Sequence, residues 1–181
     1  MRQSDSEVIQ RVLGGDGEAF DVLVLEYQER IYRLAYRLTR NPEDARDLAQ
    51  ETFVQAYRSL GSFQQRSSLS TWLYRITMNL CLNHLKSTGR VDPAEIDRSV
   101  TDQRPNSLEA ILTDERSRAL AAAIEALPPR QKATLTLRVH QGLSHREIAE
   151  ILGCSEGTAK ANYLHAVRGL QRKLQAFRDP E

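Results

Sequence analysis

Apolar residues recur at helical spacing through most of the chain, and no run alternates apolar and polar residues for long enough to form a β-strand. The strongest helical run covers Phe20–Leu38, with Asp16 before it as a candidate cap. The next run begins at Asn41, a capping residue followed by Pro42 at the first helical position, and Gly61 is predicted to end it. The pattern predicts an all-α fold.

A third helical run begins at Leu69 and stops near Gly89, and the periodicity then disappears in a polar stretch that contains Pro93 and Pro105. We interpret this stretch as a flexible linker. Helical spacing resumes at Leu108. The predicted organisation is two small helical domains joined by the linker, with boundaries at 1–90, 91–106 and 107–181.

The second half contains a helix-turn-helix pattern. Ser144 and Glu147 have the spacing of a capping box, which closes the first turn of a helix reciprocally. Gly153 suits the turn, since a left-handed backbone is cheap only for glycine. The spacing Ala149-x3-Gly153-x5-Ala159 is that of the motif, whose second helix enters the major groove of DNA. These features favour DNA binding over the alternative, a helical hairpin with a basic exterior.

Charge is distributed in blocks, although 25 Lys and Arg against 24 Asp and Glu leave a net charge of only +1. No acid occurs in 52–91 or in 157–178, and an acidic segment lies between these two basic ones. Two acid-free basic segments indicate two contacts with a polyanion. Ser155 is placed to cap the second helix of the motif, and Lys160 lies early enough in that helix to reach the edges of nucleobases. Basic residues later in the helix are placed to hold phosphates: Arg168, Arg172 and Lys173.

Uncharged stretches, the N-terminal residues and the two cysteines together indicate the cellular compartment in which the protein works. Every uncharged stretch is far shorter than the roughly 20 residues that a bilayer requires, so no direct membrane insertion is expected. No apolar signal region follows Met1. Cys81 and Cys154 form no C-x-x-C motif, so a disulfide framework or a structural zinc site is not expected, and a reducing cytoplasm fits best.

The first half combines two surfaces of different character. The helix from Pro42 places acids and an amide on one side at spacings of three and four, which suits a basic protein partner: Asp44, Asp47, Gln50 and Glu51. The loop that follows, and the helix after it, carry amides, hydroxyls, Arg and an aromatic residue, as reading of unstacked bases requires. These residues are Phe63, Gln64, Gln65, Arg66, Ser67, Ser68, Arg75, Asn79, Asn83 and Lys86.

Three motifs in this order identify a family. The run Asp47 to Phe53 (DLAQETF), the segment Phe63 to Ile76 with its TWLYRI ending, and Leu127-Pro128-Pro129 ahead of the helix-turn-helix resemble the extracytoplasmic-function (ECF, group IV) sigma factors of bacterial RNA polymerase, in the sigma-70 family. The resemblance spans about 7–175. It implies two helical domains, one for each promoter element, and a linker that threads the polymerase channel. It implies a promoter-specificity subunit, not an enzyme, with no cofactor and no metal.

The resemblance also implies roles for single residues. Asp47, Leu48, Gln50 and Glu51 match the segment that docks on the clamp helices of the largest polymerase subunit. Phe63 to Ser68 match the loop that captures a base flipped from the non-template strand of the −10 element, and Asn79 and Asn83 line that site. The positions that match the family's recognition-helix residues facing duplex DNA at the −35 element are Thr158, Lys160, Ala161, Asn162 and His165, and we count Ser155, the cap of that helix, with the −35 contacts. The implied partners are polymerase core, promoter DNA and an anti-sigma factor.

The recognition helix departs from many relatives, because Ala161, Asn162 and Val167 replace a hydroxyl and two Arg, so we expect a weaker grip on phosphates. Two other functions compete with the leading one. A freestanding DNA-binding regulator would use the same helix-turn-helix but would need neither the acidic helix nor the loop. A metal enzyme or zinc redox sensor would use the scattered Cys and His, of which Cys81 and His84 are three residues apart, but no spacing matches a standard zinc motif.

Overall fold

The computed structural model describes residues 5–89 and 115–175, and within these ranges the chain is helical and contains no strand. The predicted all-α fold of two small helical domains is confirmed. Four helices form the first of two compact units: α1 (Asp5–Leu13), α2 (Phe20–Thr39), α3 (Pro42–Ser59) and α4 (Leu69–Ser87).

The α2 and α3 helices pack against each other, and most of the apolar positions predicted for α2 are buried. The predicted cap at Asn41 is confirmed, whereas Asp16 caps a short 3-10 turn and not α2 itself, whose N-cap is Ala19. Asp16 accepts a hydrogen bond from the Ala19 amide (3.2 Å) in a short 3-10 turn that leads into α2. Asn41 accepts hydrogen bonds from the amides of Glu43 (2.8 Å) and Asp44 (3.3 Å), so the first turn of α3 is fixed by its own sequence.

Two details differ from the sequence prediction. The helix α1 was not predicted, and a hydrogen bond from the Tyr27 hydroxyl to Asp5 (2.7 Å) ties it to α2. Gly61 follows the C-cap of α3, Leu60, where the sequence predicts a helix-ending glycine, but it lacks the left-handed backbone of such a cap. The helix ends at Ser59, and a 3-10 turn over Leu60–Ser62 follows it with Leu60 buried.

Two buried threonines lie where α3 and α4 meet. Thr52 donates a hydrogen bond to the carbonyl of Leu48 (2.7 Å), and Thr77 donates one to the carbonyl of Leu73 (2.8 Å). The two hydroxyl oxygens lie 3.4 Å apart, and both side chains are fully buried. Each hydroxyl is satisfied within its own helix, so this buried contact between the two helices leaves no donor unpaired.

The helices of the second half of the chain are α5 (Glu115–Glu125), α6 (Pro129–His140), α7 (His145–Leu152) and α8 (Glu156–Gln175), and α8 packs on α5 and α6. The predicted linker 91–106 and the helical restart at Leu108 lie outside the described residues, so the domain boundaries stay a prediction. No helix in the described ranges is long and apolar enough to cross a membrane.

Candidate nucleic-acid interfaces and protein-docking surface

The turn between α7 and α8 is built as the sequence predicts. The Ser144 amide donates to the Glu147 carboxylate (2.8 Å), and the Glu147 amide donates to the Ser144 hydroxyl (3.2 Å), so the capping box is confirmed. The Ser144 hydroxyl also donates to the Glu147 carboxylate (2.7 Å), and the two hydrogen bonds that this carboxylate accepts lower the pKa of Glu147. Gly153 has φ +61 with open space around its missing side chain, so its backbone conformation, not crowding, calls for glycine.

Two hydroxyls predicted to contact the −35 element are engaged at the start of α8. Ser155 accepts a hydrogen bond from the Thr158 amide (3.0 Å), and the two side-chain oxygens lie 2.8 Å apart. Both residues are exposed. The predicted cap at Ser155 is therefore confirmed, and the pair fixes the direction in which the recognition helix starts.

The exposed residues of α8 divide into two sides. Ala161, His165, Arg168 and Arg172 are spaced by three and four and are all exposed, so they share one side, which we call the reading face. Lys160 lies about 140° around the helix from His165, since five residues advance it by that angle. Its ammonium pairs with the Glu156 carboxylate (2.8 Å). The structure thus separates two residues that the sequence analysis placed together against the groove. Thr158 adjoins the reading face, Asn162 is half-buried, and Lys173 is exposed on a third side.

The acids of α3 lie on one side of the helix, as predicted. Asp47 is exposed, whereas Asp44 and Glu51 are half-buried beside it, and we call these three residues the acidic face. The Gln55 amide donates to Glu51 (3.2 Å) along the same helix. Leu48 is buried, so it supports the helix from inside rather than presenting its side chain to a partner.

A histidine from α4 reaches the acidic face. His84 Nε2 lies 3.2 Å from Asp44 Oδ2, and both side chains are about one-quarter exposed, at 25% and 22%. Sequence reasoning considered His84 only as a zinc ligand. The contact joins residues forty positions apart, so no local pattern predicts it.

An open groove of about 680 Å³ lies between α2 and α3, next to the acidic face. Its lining is largely apolar and includes Val24, Leu25 and Val54, with Leu25 strongly exposed. Gln50, one of the predicted docking residues, lines the groove on the α3 side. The predicted docking residues therefore border both an acidic and an apolar surface.

The loop between α3 and α4 is anchored at both ends. The Phe63 ring packs on the Trp72 ring with centroids 5.0 Å apart, and Trp72 is buried, as the sequence analysis expected. Ser68 accepts a hydrogen bond from the Thr71 amide (3.1 Å) and so caps α4. Between the anchors, Gln64 and Arg66 are exposed, as is Gln65 with a left-handed backbone (φ +52). Ser67 is half-buried.

The predicted residues of α4 form one continuous stripe. Arg75, Asn79, Asn83 and Lys86 are spaced by four, four and three, and all four are exposed. We call them the polar stripe. Trp72 lies one turn before Arg75 on the same side of α4, so the Phe63 contact brings the loop to the head of the stripe.

The described residues contain no group of three or more His, Cys, Asp or Glu that is arranged to hold a metal ion. Burial raises the pKa of the Cys81 thiol to about 12, which makes that thiol unreactive. Cys154 is half-buried, and burial raises its pKa as well.

Comparison with known proteins agrees with this division of surfaces. The family model for Sigma-70 region 2 matches residues 23–91, which contain the acidic face, the loop and the polar stripe. The model for Sigma-70, region 4 matches residues 117–170, which contain the helix-turn-helix.

Relatives match over nearly the whole length of both chains. The chain is 36% identical to the RNA polymerase sigma-H factor of Pseudomonas aeruginosa, with 96% of this chain and 95% of the relative covered. It is 34% identical to the ECF RNA polymerase sigma-E factor of Salmonella typhimurium, over 95% of each. It is 35% identical to the ECF sigma-E factor of Haemophilus influenzae, over 95% of this chain and 96% of the relative.

Solved structures show the same fold. The sigma factor RpoE from Bartonella quintana, solved in complex with the anti-sigma factor NepR, has a TM-score of 0.63 at 25% identity and covers 86% of this chain and 96% of its own. CnrH, solved with the cytosolic domain of CnrY, has a TM-score of 0.69 at 22% identity, over 96% and 99%. The chain is at least 34% identical to these relatives over nearly its whole length, and it matches the family models of sigma-70 regions 2 and 4. It therefore belongs to the ECF group of the sigma-70 family of RNA polymerase sigma factors.

Proposed function

We propose that this sigma factor docks on polymerase core through the acidic face of α3, reads the −10 element with the 63–68 loop and the polar stripe, and reads the −35 element with α8. One observation carries the proposal. A single domain presents the acidic face and an acid-free polar stripe on adjoining helices, and a regulator that only binds an operator has use for neither. The chain is a regulatory subunit of the bacterial cytoplasm, and the phosphodiester chemistry belongs to the core.

Core docking is supported by charge and by rigidity. Asp47 stands exposed at the centre of the acidic face, and Asp44 and Glu51 flank it, so the face presents negative charge to a basic partner. Buried Leu48 holds the helix against the domain core. Gln50 extends the docking surface to the rim of the apolar groove, where contact with the same subunit excludes water.

Capture of the −10 strand is supported by the anchored loop. A flipped base costs a few kcal/mol to extrude, so its pocket must be formed in advance. The Phe63–Trp72 contact and the Ser68 cap fix both ends of the loop and leave the donors of Gln64, Gln65 and Arg66 exposed between them. The polar stripe then offers two amides and two cations along the path of the strand.

Recognition of the −35 element is supported by the reading face. His165 lies at its centre, and the later Arg168 and Arg172 extend it toward the end of α8, where phosphates border the groove. Ala161 leaves room for close approach to the bases. Lys160, paired with Glu156, lies at the flank, where it contributes to affinity more than to base selection.

An anti-sigma factor completes the set of partners. RpoE of Bartonella quintana, which covers most of this chain, forms a complex with NepR. For this chain we assign such a partner to the first compact unit, where coverage of the acidic face and its groove would block polymerase core.

The test compares the purified chain alone with the chain bound to core on fluorescent promoter duplexes selected from genomic DNA. We expect a specific complex and a run-off transcript only when core is present. A specific shift of the duplex by the chain alone, with no transcript after core is added, would establish a freestanding regulator instead.

A further inference from the structure

Three arginines at the C-terminal end of α2 lie outside the surfaces described so far. Arg33, which is exposed, and Arg37, which is half-buried, share one side of the helix, and Arg40 is the C-cap that follows it. We call them the arginine row. The acidic residues Glu26 and Glu29 lie earlier in α2, so the net charge of the whole helix does not reveal the positive charge at its C-terminal end.

The charge of the row is only partly balanced. Arg33 Nε lies 2.6 Å from the Glu29 carboxylate. Arg37 is half-buried, and no carboxylate within the described ranges pairs with it. Its burial, and then the guanidinium groups of Arg33 and Arg40, lower the pKa of Arg37, although an arginine stays charged at this position. Like charges at these spacings destabilise a helix, so the row costs the free protein stability that an anion would restore.

Arg40 adds backbone strain at the same place. It follows the last residue of α2 with φ +54, the left-handed conformation that usually belongs to glycine at a helix end. Attraction to the helix dipole explains a cation in the last turn but not one in a strained conformation. Strain of this kind concentrates at functional positions, where the side chain has a use that offsets it.

The surroundings favour nucleic acid over an acidic protein. The rings of Tyr32 and Tyr36 stack with centroids 6.2 Å apart beside the row, and paired aromatic and arginine side chains are typical of strand-binding surfaces. Burial raises the pKa of Tyr74 in α4, and the charge of Arg30, one turn before Arg33, opposes that rise. Arginine is the residue that grips phosphate with two parallel hydrogen bonds.

We propose that the arginine row binds phosphates of promoter DNA, as a third contact with the promoter at the C-terminal end of α2. The inference rests on the proposed promoter contacts, and it adds to them a surface that reads no base.

The experiment measures promoter binding by holoenzyme as a function of salt concentration, on duplex and on fork-junction probes. We expect Arg37→Gln to weaken all promoters about equally and to reduce the slope of log K against log salt by about 0.7 to 0.9, the share of one phosphate. Arg37→Lys should keep most of the slope, because the charge remains. Arg118→Gln, which removes an exposed arginine of α5, is the matched control and should leave the slope unchanged.

A second variant separates binding from folding. Arg40→Gly relieves the left-handed backbone, so we expect it to raise the melting temperature of the chain while it weakens promoter binding. Loss of both stability and binding would mean that Arg40 is structural. If Arg37→Gln leaves the salt slope unchanged, the proposal is overturned. If the same variant also binds polymerase core more weakly, the arginine row contacts an acidic surface of the core protein and not DNA. Wild-type holoenzyme that shows no salt-dependent promoter binding would instead refute the proposed promoter contacts themselves.

Discussion

His84 of α4 contacts Asp44 of α3 through Nε2 and Oδ2, 3.2 Å apart, and thereby ties the helix of the polar stripe to the acidic face. We expect His84→Gln and Asp44→Asn each to destabilise the first domain, and the double variant to lose less than the sum. A coupling of about 1 kcal/mol is typical of partly buried neighbours in contact. Urea denaturation of all four chains measures it. Strictly additive losses would show that the contact contributes nothing of its own.

Core binding should depend on the acidic face and not on negative charge in general. The double variant Asp47→Arg/Glu51→Arg should abolish core binding and leave the helical content unchanged, because like charges then oppose across a desolvated interface. Glu18→Arg/Asp21→Arg carries the same change of charge on exposed positions before and at the start of α2 and serves as the control. Co-purification of the first variant with core at normal affinity would show that the docking surface lies elsewhere.

Promoter opening should depend on the loop and on the polar stripe. Asn79→Ala, and replacement of 64–67 by a Gly-Ser linker that keeps the Phe63 and Ser68 anchors, should impair melting more than initial docking, since the pocket offsets the few kcal/mol of base extrusion. Permanganate footprinting detects the melted thymines. Gln10→Ala, which removes an exposed amide of α1, provides the matched control. Normal melting by both test variants would exclude the proposed capture site.

Selection of the −35 sequence should depend on His165 more than on Lys160. His165 lies on the reading face, whereas Lys160 is turned away and paired with Glu156. A direct base contact is worth about 1–3 kcal/mol of discrimination. Selections from a randomised −35 library with His165→Ala, Lys160→Ala and Arg172→Ala holoenzymes should change the preferred sequence only for the first. A changed preference with Lys160→Ala alone would mean that another side of α8 faces the groove.

The capping box of α7 should make part of the stability depend on pH. Because Ser144 lowers the pKa of Glu147 in the folded chain, the stabilisation is present above the ordinary carboxyl pKa and is lost as pH falls through the lowered value. Ser144→Ala should cost about 1 kcal/mol at neutral pH and less in acid. Ser155→Ala removes a cap whose partner, Thr158, does not titrate, so its cost should stay constant. Amide protection factors in α7 and α8 compare the two, and equal pH dependence would contradict the assignment.

Local patterns account for what the sequence could predict. Asn41, Ser144 and Ser155 cap helices within three residues of themselves, so their partners are visible in the sequence. The helical period also places Lys160 on a different side of α8 from His165, since the two residues are five positions apart. The His84–Asp44 contact was not accessible, because it depends on how α3 crosses α4.

The buried hydroxyls of Thr52 and Thr77 have a consequence for where RNA synthesis begins. They contact each other between α3 and α4, and each is satisfied by a carbonyl of its own helix. Under the proposed docking of α3 on polymerase core, this contact sets the distance between core and a nucleotide bound at α4. We expect the first transcribed nucleotide to lie at a constant number of bases from the melted element. A bulkier side chain at Thr52 should broaden the distribution of start positions before it reduces promoter selectivity.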